Sequence, residues 1–155
     1  IYSVHPFGNT MCVIRVTGQQ VLDALEWGAR AVPSENGGFL QVSGLTYEIH
    51  TGVASSAEKD ENGMFTRVSG EYRVKNVMVG GQPLELDKTY TLASHNYMLL
   101  GHGDGYTMFD GCEVLGEDMM VDNQVLITYI TTTLGGVVGE QYANPYGDGR
   151  IVAVE

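Results

Sequence analysis

Basic residues are scarce in this chain: eight lysines and arginines stand against 19 aspartates and glutamates, a formal net charge of −11. The eight (Arg15, Arg30, Lys59, Arg67, Arg73, Lys75, Lys88 and Arg150) form no cluster. A nucleic-acid polymer is held by cations that displace its counterions, so the composition argues against such a partner. The phosphate of any smaller ligand would need a metal or arginines supplied from elsewhere. Cysteine is scarcer still. Cys12 and Cys112 show neither CxxC spacing nor histidines at metal-ligand intervals, which argues against a zinc site. Cys12 sits in an apolar run and reads as a buried, inert thiol, with a disulfide to Cys112 as the alternative in a secreted protein. The histidines, His5, His50, His95 and His102, make no HExxH pattern. No apolar run approaches the ~18 residues of a membrane-spanning helix, so no membrane insertion by this segment is expected. The opening residues Ile1-Tyr2-Ser3-Val4-His5 lack the basic and apolar regions of a signal peptide. Beginning on Ile1, the segment reads as an excised domain or a mature fragment.

What is present suits a folded domain. The chain has 155 residues, 43% of them hydrophobic, enough for about one domain with a real core. No internal repeat or linker divides it, so residues 1–155 are expected to form a single domain. Met11 to Val16 predicts a strand, and Thr17-Gly18-Gln19-Gln20 matches a capping box that opens a helix. Leu22, Leu25, Ala29 and Val32 then recur at helical spacing until Pro33 and Gly37-Gly38 stop it. Phe39 to Val42 is a short strand candidate. Leu45, Tyr47 and Ile49 alternate with Thr46, Glu48 and His50 as a half-buried strand should. The polar stretch Thr51 to Gly70 predicts a surface loop or a long hairpin tip, and it lacks the spaced acids of a calcium loop. Tyr72–Val79 and Leu84–Leu86 flank Gly80-Gly81, a hairpin signal. Tyr90 to Ser94 adds a strand. Asp122 to Leu134 predicts a helix with Asp122 as N-cap and Leu126, Tyr129, Ile130 and Leu134 on its apolar face. Tyr142 to Asp148 is a loop, and Ile151 to Val154 a closing strand.

The chemistry is concentrated in Asn96-Tyr97-Met98-Leu99-Leu100-Gly101-His102-Gly103-Asp104-Gly105-Tyr106. Glycines let backbone approach a ligand closely, a carboxylate accepts paired hydroxyl protons, and tyrosines offer flat faces for stacking.

These residues do not stand alone. Pro6-Phe7-Gly8-Asn9-Thr10, Thr17-Gly18, Gly38-Phe39-Leu40-Gln41-Val42-Ser43-Gly44, and Ser94-His95-Asn96-Tyr97 through Gly103-Asp104-Gly105-Tyr106 follow one another in order. Together they resemble the C-terminal domain of the 5′-nucleotidase, UDP-sugar hydrolase and 2′,3′-cyclic-nucleotide phosphodiesterase family, across nearly the whole chain. The resemblance implies an α/β fold, a layered α-β-β-α domain with two mixed sheets and flanking helices. It implies that the domain clamps a nucleoside while an N-terminal metallophosphoesterase domain hydrolyses the phosphate ester with a divalent metal pair (Zn, Mn or Co). By the same resemblance Phe39 stacks on the base and Gln41 hydrogen-bonds its edge. Tyr97 takes the second stacking place, in a turn formed with Asn96, Gly103 and Gly105, and Asp104 accepts from the ribose hydroxyls. The family's second aromatic falls six residues before the aspartate, which is Met98, whereas Tyr97 is seven before. His102 stands where the family has the first glycine of Gly-Gly-Asp-Gly. No metal-ligand constellation is visible in these residues, so the domain is expected to bind no cofactor and to be inactive alone. The expected location is extracellular, cell-wall-attached or periplasmic. The alternative is a stand-alone extracellular nucleoside- or sugar-binding module without hydrolase activity.

Overall fold

The computed structural model describes residues 1–155, and its elements begin where the hydrophobic period changes. Strand β1 (Met11–Thr17) buries Cys12, Ile14 and Val16 on one face. Thr17 turns it directly into helix α1 (Gly18–Ala29) through the expected capping box. The Gln20 amide donates to Thr17 Oγ1 at 3.2 Å, and the Thr17 amide donates to Gln20 Oε1 at 2.8 Å. Donors at the helix start that lack intrahelical partners are satisfied this way. The junction requires glycine, because a Cβ on Gly18 would lie 2.2 Å from the Glu85 carbonyl oxygen.

Strand β2 (Leu45–His50) buries Tyr47 and Ile49, and β3 (Ala57–Lys59) pairs with β4 (Phe65–Val68) as a separate hairpin. Strands β5 (Val74–Val79) and β6 (Gln82–Pro83) enclose the Gly80-Gly81 turn, and β7 (Thr89–His95) leads into the short helix α2 (Asn96–Leu99). Strand β8 (Glu113–Gly116), helix α3 (Asp122–Thr128) and strand β9 (Ile151–Val154) complete the chain. One sheet has the order β7-β1-β8 and is antiparallel throughout, with β1 and β7 in register from Met11↔His95 to Thr17↔Thr89. The other has the order β6-β5-β2-β9 and is mixed, since β9 runs parallel to β2 with Tyr47 opposite Ile151. The fold is thus α/β with layered sheets and flanking helices, and only the four-stranded sheet is mixed.

α1 packs against β1, β4 and β5 and contributes Val21, Ala24, Leu25, Trp27 and Ala29 to a core of 17 buried residues. Glu26 and Arg73 are buried with them. The Val74 amide donates to Glu26 Oε2 at 2.8 Å, while Arg73 Nη1 donates to the carbonyls of Val32 and Ala29 at 2.8 and 3.3 Å. Both thiols are free, so the buried-thiol reading of Cys12 holds and the disulfide does not. No helix is long and apolar enough to cross a membrane.

Several expectations differ from the structure. The second strand of the Gly80-Gly81 hairpin is Gln82–Pro83, and Leu84–Leu86 forms no strand. α1 stops at Ala29, short of Val32, because the next carbonyls turn to the Arg73 guanidinium. Phe39–Val42 forms no strand. Carbonyls here and at the preceding residue pair with side chains instead: Gly38 O accepts from Tyr106 Oη, Leu40 O from Tyr47 Oη and Val42 O from Arg150. No ladder partner is needed when side chains satisfy the backbone. β8 was not expected at all. Finally, α3 is capped by Val121, with Asp122 its first helical residue, and at Thr128 it widens into a π turn over Tyr129–Thr133. The threonines are the cause: Thr131 and Thr132 hydroxyls donate back to carbonyls of Ile127 and Thr128, loosening the helical ladder. The expected apolar face of α3 buries none of its residues.

Candidate functional site

The turn that follows β7 is tied down at its first residues. His95 caps α2, with Nδ1 accepting from the Met98 amide at 3.3 Å. Asn96 Oδ1 accepts from the amides of Thr10 and Tyr97 at 3.0 and 2.9 Å. Asn96 therefore clamps the turn to the entry of β1 with its side-chain oxygen. α2 sends its next two side chains to different environments: Met98 is 7% exposed and belongs to the core, whereas Tyr97 is 48% exposed. The Tyr97 ring covers Gly103, where a Cβ would stand 2.2 Å from Tyr97 Cε1.

From there the backbone runs through left-handed conformations, with φ of +56° at His102, +53° at Asp104 and +84° at Gly105. Aspartate and histidine visit this region more readily than most side chains. The His102 ring meets the Asp110 carboxylate, so the turn accommodates a side chain at the place of the family's first glycine. Gly103 and Gly105 are buried and Asp104 between them is exposed. The peptide of Asp104 is fixed from below by the Trp27 indole, which donates to its carbonyl at 2.9 Å. Arg30 lies 3.7 Å over the Trp27 ring and donates to the Trp27 carbonyl at 2.6 Å. Burial pulls the Arg30 guanidinium below its usual pKa, and the charges of Tyr106 and Asp104 oppose that shift.

The Phe39 segment reaches the same turn. Tyr106 Oη donates to Gly38 O, and burial drives the Tyr106 phenol well above its ordinary pKa, so it remains a donor. A Cβ on Gly38 would lie 3.0 Å from Asp104 Cβ and 3.4 Å from Asp104 Oδ2. The carboxylate thus stands one residue from Phe39 along the neighbouring loop. Phe39 is half-buried and Gln41 exposed. Together they form a ridge between two hollows, one of about 510 Å³ walled by the Val32–Gly37 segment and one of about 410 Å³ walled by Pro145–Ile151. Neither hollow includes Tyr97 or Asp104. The structure therefore gathers Gly38, Asp104, Gly103 and Tyr97 along one edge and presents Phe39 and Gln41 beside it.

Sequence reasoning missed Trp27, Arg30 and Tyr106 as supports of the turn, and the Pro145–Ile151 wall. The three-residue spacing of Trp27 and Arg30 on a helix was a readable signal. So was Tyr146-Gly147-Asp148-Gly149, which repeats the composition of the Gly103–Tyr106 turn.

Chemically, the site offers a carboxylate acceptor, exposed aromatic faces and an amide, a set that suits a hydroxylated ring carrying a planar group. No three histidines, cysteines or acids come together as metal ligands, so the residues of this chain do not fit a metal pair. Burial raises both thiol pKa values, so neither Cys12 nor Cys112 is activated as a nucleophile.

Comparison with known proteins bears on this geometry. Residues 1–111 match the family described as 5′-nucleotidase, C-terminal domain. The chain is 31% identical over 154 residues to the trifunctional nucleotide phosphoesterase protein YfkN of Bacillus subtilis, covering 99% of this chain and 9% of that protein. It is 30% identical over 129 residues to the cell wall protein Lmo0130 of Listeria monocytogenes, covering 83% of this chain and 14% of that one. The crystal structure of a 5′-nucleotidase precursor from Thermus thermophilus superposes with a TM-score of 0.76 at 29% identity, over 99% of this chain and 27% of its own. The chain spans between about a tenth and about a quarter of the length of these relatives. With the family matched over the segments that carry both Phe39 and Asp104, the chain belongs to the 5′-nucleotidase C-terminal domain family.

Proposed function

We propose that residues 1–155 form one nucleoside-binding domain, holding the base and ribose of a nucleotide for a hydrolytic domain of the same protein. The observation that carries this reading is the approach of the Asp104 carboxylate to Gly38, the residue before Phe39, which supports a diol acceptor acting together with the segment that carries the ring. Asp104 accepts from the ribose hydroxyls in charge-assisted bonds. Phe39 stacks on the base, and Tyr97, the exposed member of the Tyr97–Met98 pair, supplies the second face. Gln41 hydrogen-bonds the base edge. Asn96, Gly103 and Gly105 position the backbone around them, and His102 braces the turn through Asp110. Stacking tolerates any base, because each has a π-face.

The net charge of −11 favours a pose in which phosphate points away from this domain. A preceding metallophosphoesterase domain, holding the divalent metal pair (Zn, Mn or Co), would supply the hydrolysis, so that this chain binds and orients but does not turn substrate over alone. The Listeria relative's name, cell wall protein, supports an extracellular, cell-wall-attached or periplasmic location.

Isothermal titration with adenosine and 2′-deoxyadenosine tests the reading. Adenosine is expected to bind more tightly, by roughly 10-fold or more, since a hydrogen bond to a charged group contributes about 1.5–3 kcal/mol. Asp104→Ala should abolish that preference, and the Phe39→Ala, Asp104→Ala double variant should lose adenosine binding. Undiminished binding by the double variant overturns the site assignment.

A further inference from the structure

The hollow on the far side of the Phe39–Gln41 ridge has a wall to which nothing above gives a role. Phe39 and Gln41 form one side of it, and the loop from Pro145 to Arg150 forms the other. Tyr146 is 95% exposed there, its ring covered by no neighbour. A lone exposed aromatic needs no explanation by itself. This one is presented by a braced loop. Asn144 Oδ1 accepts from the Tyr146 amide at 3.0 Å, and Asn144 Nδ2 donates to Gly147 O at 2.7 Å. Gly147 and Gly149 take the positive φ values, +94° and +86°, that let the loop turn so tightly.

The loop is also bolted to the segment that carries Phe39. Arg150 Nη1 donates to the Val42 carbonyl, and the Arg150 carbonyl accepts from the Tyr47 amide at 2.9 Å. The backbone that carries Tyr146 is therefore tied to the segment that carries Phe39. The two charges of the wall are spent internally, since Arg150 Nε donates to Asp148 Oδ1 at 2.8 Å. What remains for a ligand is two aromatic side chains and the Gln41 amide, for which no hydrogen bond within the chain is seen. Those groups recognise a planar heterocycle with polar edges, and they give a phosphate no free cation.

We infer that Tyr146 is a specificity-determining residue for the base, forming with Gln41 an outer wall that favours purines over pyrimidines. This rests on the nucleoside reading above. A base lying on Phe39 extends over the ridge into the hollow. The bicyclic purine reaches the Tyr146 ring, and the smaller pyrimidine leaves it uncovered. Asp104 acts on the ribose of both alike.

The test is titration of the 155-residue chain and its variants with adenosine, guanosine, uridine and cytidine. Tyr146→Ala is expected to weaken both purine nucleosides by roughly 10-fold or more, the range of one lost stack, and the pyrimidines by less than about threefold. Tyr146→Phe, which keeps the ring, should restore the purine preference. An unchanged melting temperature in Tyr146→Ala is expected from the exposure of the ring. Equal losses for all four nucleosides, or no loss, overturn the inference; if Phe39→Ala and Asp104→Ala still abolish binding in that case, the nucleoside reading survives it. Binding that ignores Phe39→Ala and Asp104→Ala overturns both.

Discussion

Asp104 occupies backbone that few side chains adopt, at φ +53° between two buried glycines, and is itself exposed. Shape and charge can therefore be separated at this one position. Asparagine tolerates left-handed backbone nearly as well as aspartate, whereas a β-branched residue does not. Asp104→Asn is expected to keep the melting temperature and lose the preference for ribose over deoxyribose. Asp104→Val should lose both, with about 1–3 kcal/mol of backbone strain added to the folded state. Calorimetry of the two variants beside nucleoside titration checks this. A normal melting temperature for the valine variant would show that the Trp27 hydrogen bond to the Asp104 carbonyl does not hold the turn in place. The same scale explains why spacing left Tyr97 and Met98 both open. Counting from Asp104 fixes only distance along the chain, while the direction of each side chain depends on the turn of α2, which buries Met98 and exposes Tyr97.

Elements whose signals are local were legible, and those whose partners are remote were not. The box Thr17-Gly18-Gln19-Gln20 places every group it needs within four residues, and α1 starts where it said. Removing the cap by Thr17→Ala is expected to cost about 1 kcal/mol of stability. Gly18→Ala adds a Cβ 2.2 Å from a backbone carbonyl oxygen and should cost more, about 1–3 kcal/mol. Urea titration of both variants tests the order, and a Gly18→Ala variant as stable as the wild type would mean that the β6–β7 loop is free to retreat. Phe39–Val42 has the composition of a strand, yet the carbonyls from Gly38 to Val42 answer to Tyr47, Tyr106 and Arg150, and the last two lie far outside any window around position 40. β8 escaped notice for a related reason. Its four residues carry little burial, with only Gly116 less than exposed, and it exists because β1 has a free edge. In the candidate site the glycines, the aspartate and the aromatics could be read from the sequence. The Trp27–Arg30 spacing and the Tyr146–Gly149 run were in the sequence too, but placing the indole beneath Asp104 and the loop opposite Phe39 needed the fold.

The molecule as a whole is strongly acidic outside and holds one acid–base pair inside. Glu26 and Arg73 are buried together, and Glu26 Oε1 and Arg73 Nε have no hydrogen-bond partner. Burial pushes the Glu26 carboxyl above its ordinary pKa, against the amides of Val74 and Arg73 and the Arg73 charge, which lower it. A carboxyl raised in the folded state gives a contribution fully present below the unfolded-state value, near 4.3, and lost as pH rises through the folded-state value. The melting-temperature difference between wild type and Glu26→Gln is therefore expected to shift in favour of glutamine over that interval. A difference independent of pH would mean that Arg73 fully offsets the burial.

The parallel pairing of β2 with β9 carries a consequence in time. Tyr47 finds its register partner Ile151 only after most of the sequence has been spanned, and such distant pairings are slow because loop-closure entropy is lost before any contact is gained. The Phe39 side of the site, bolted through Arg150 to that last strand, belongs to the final stage of folding. A newly made chain would hold its carboxylate turn, on the β1–β7 pair, before it could close a wall around a base.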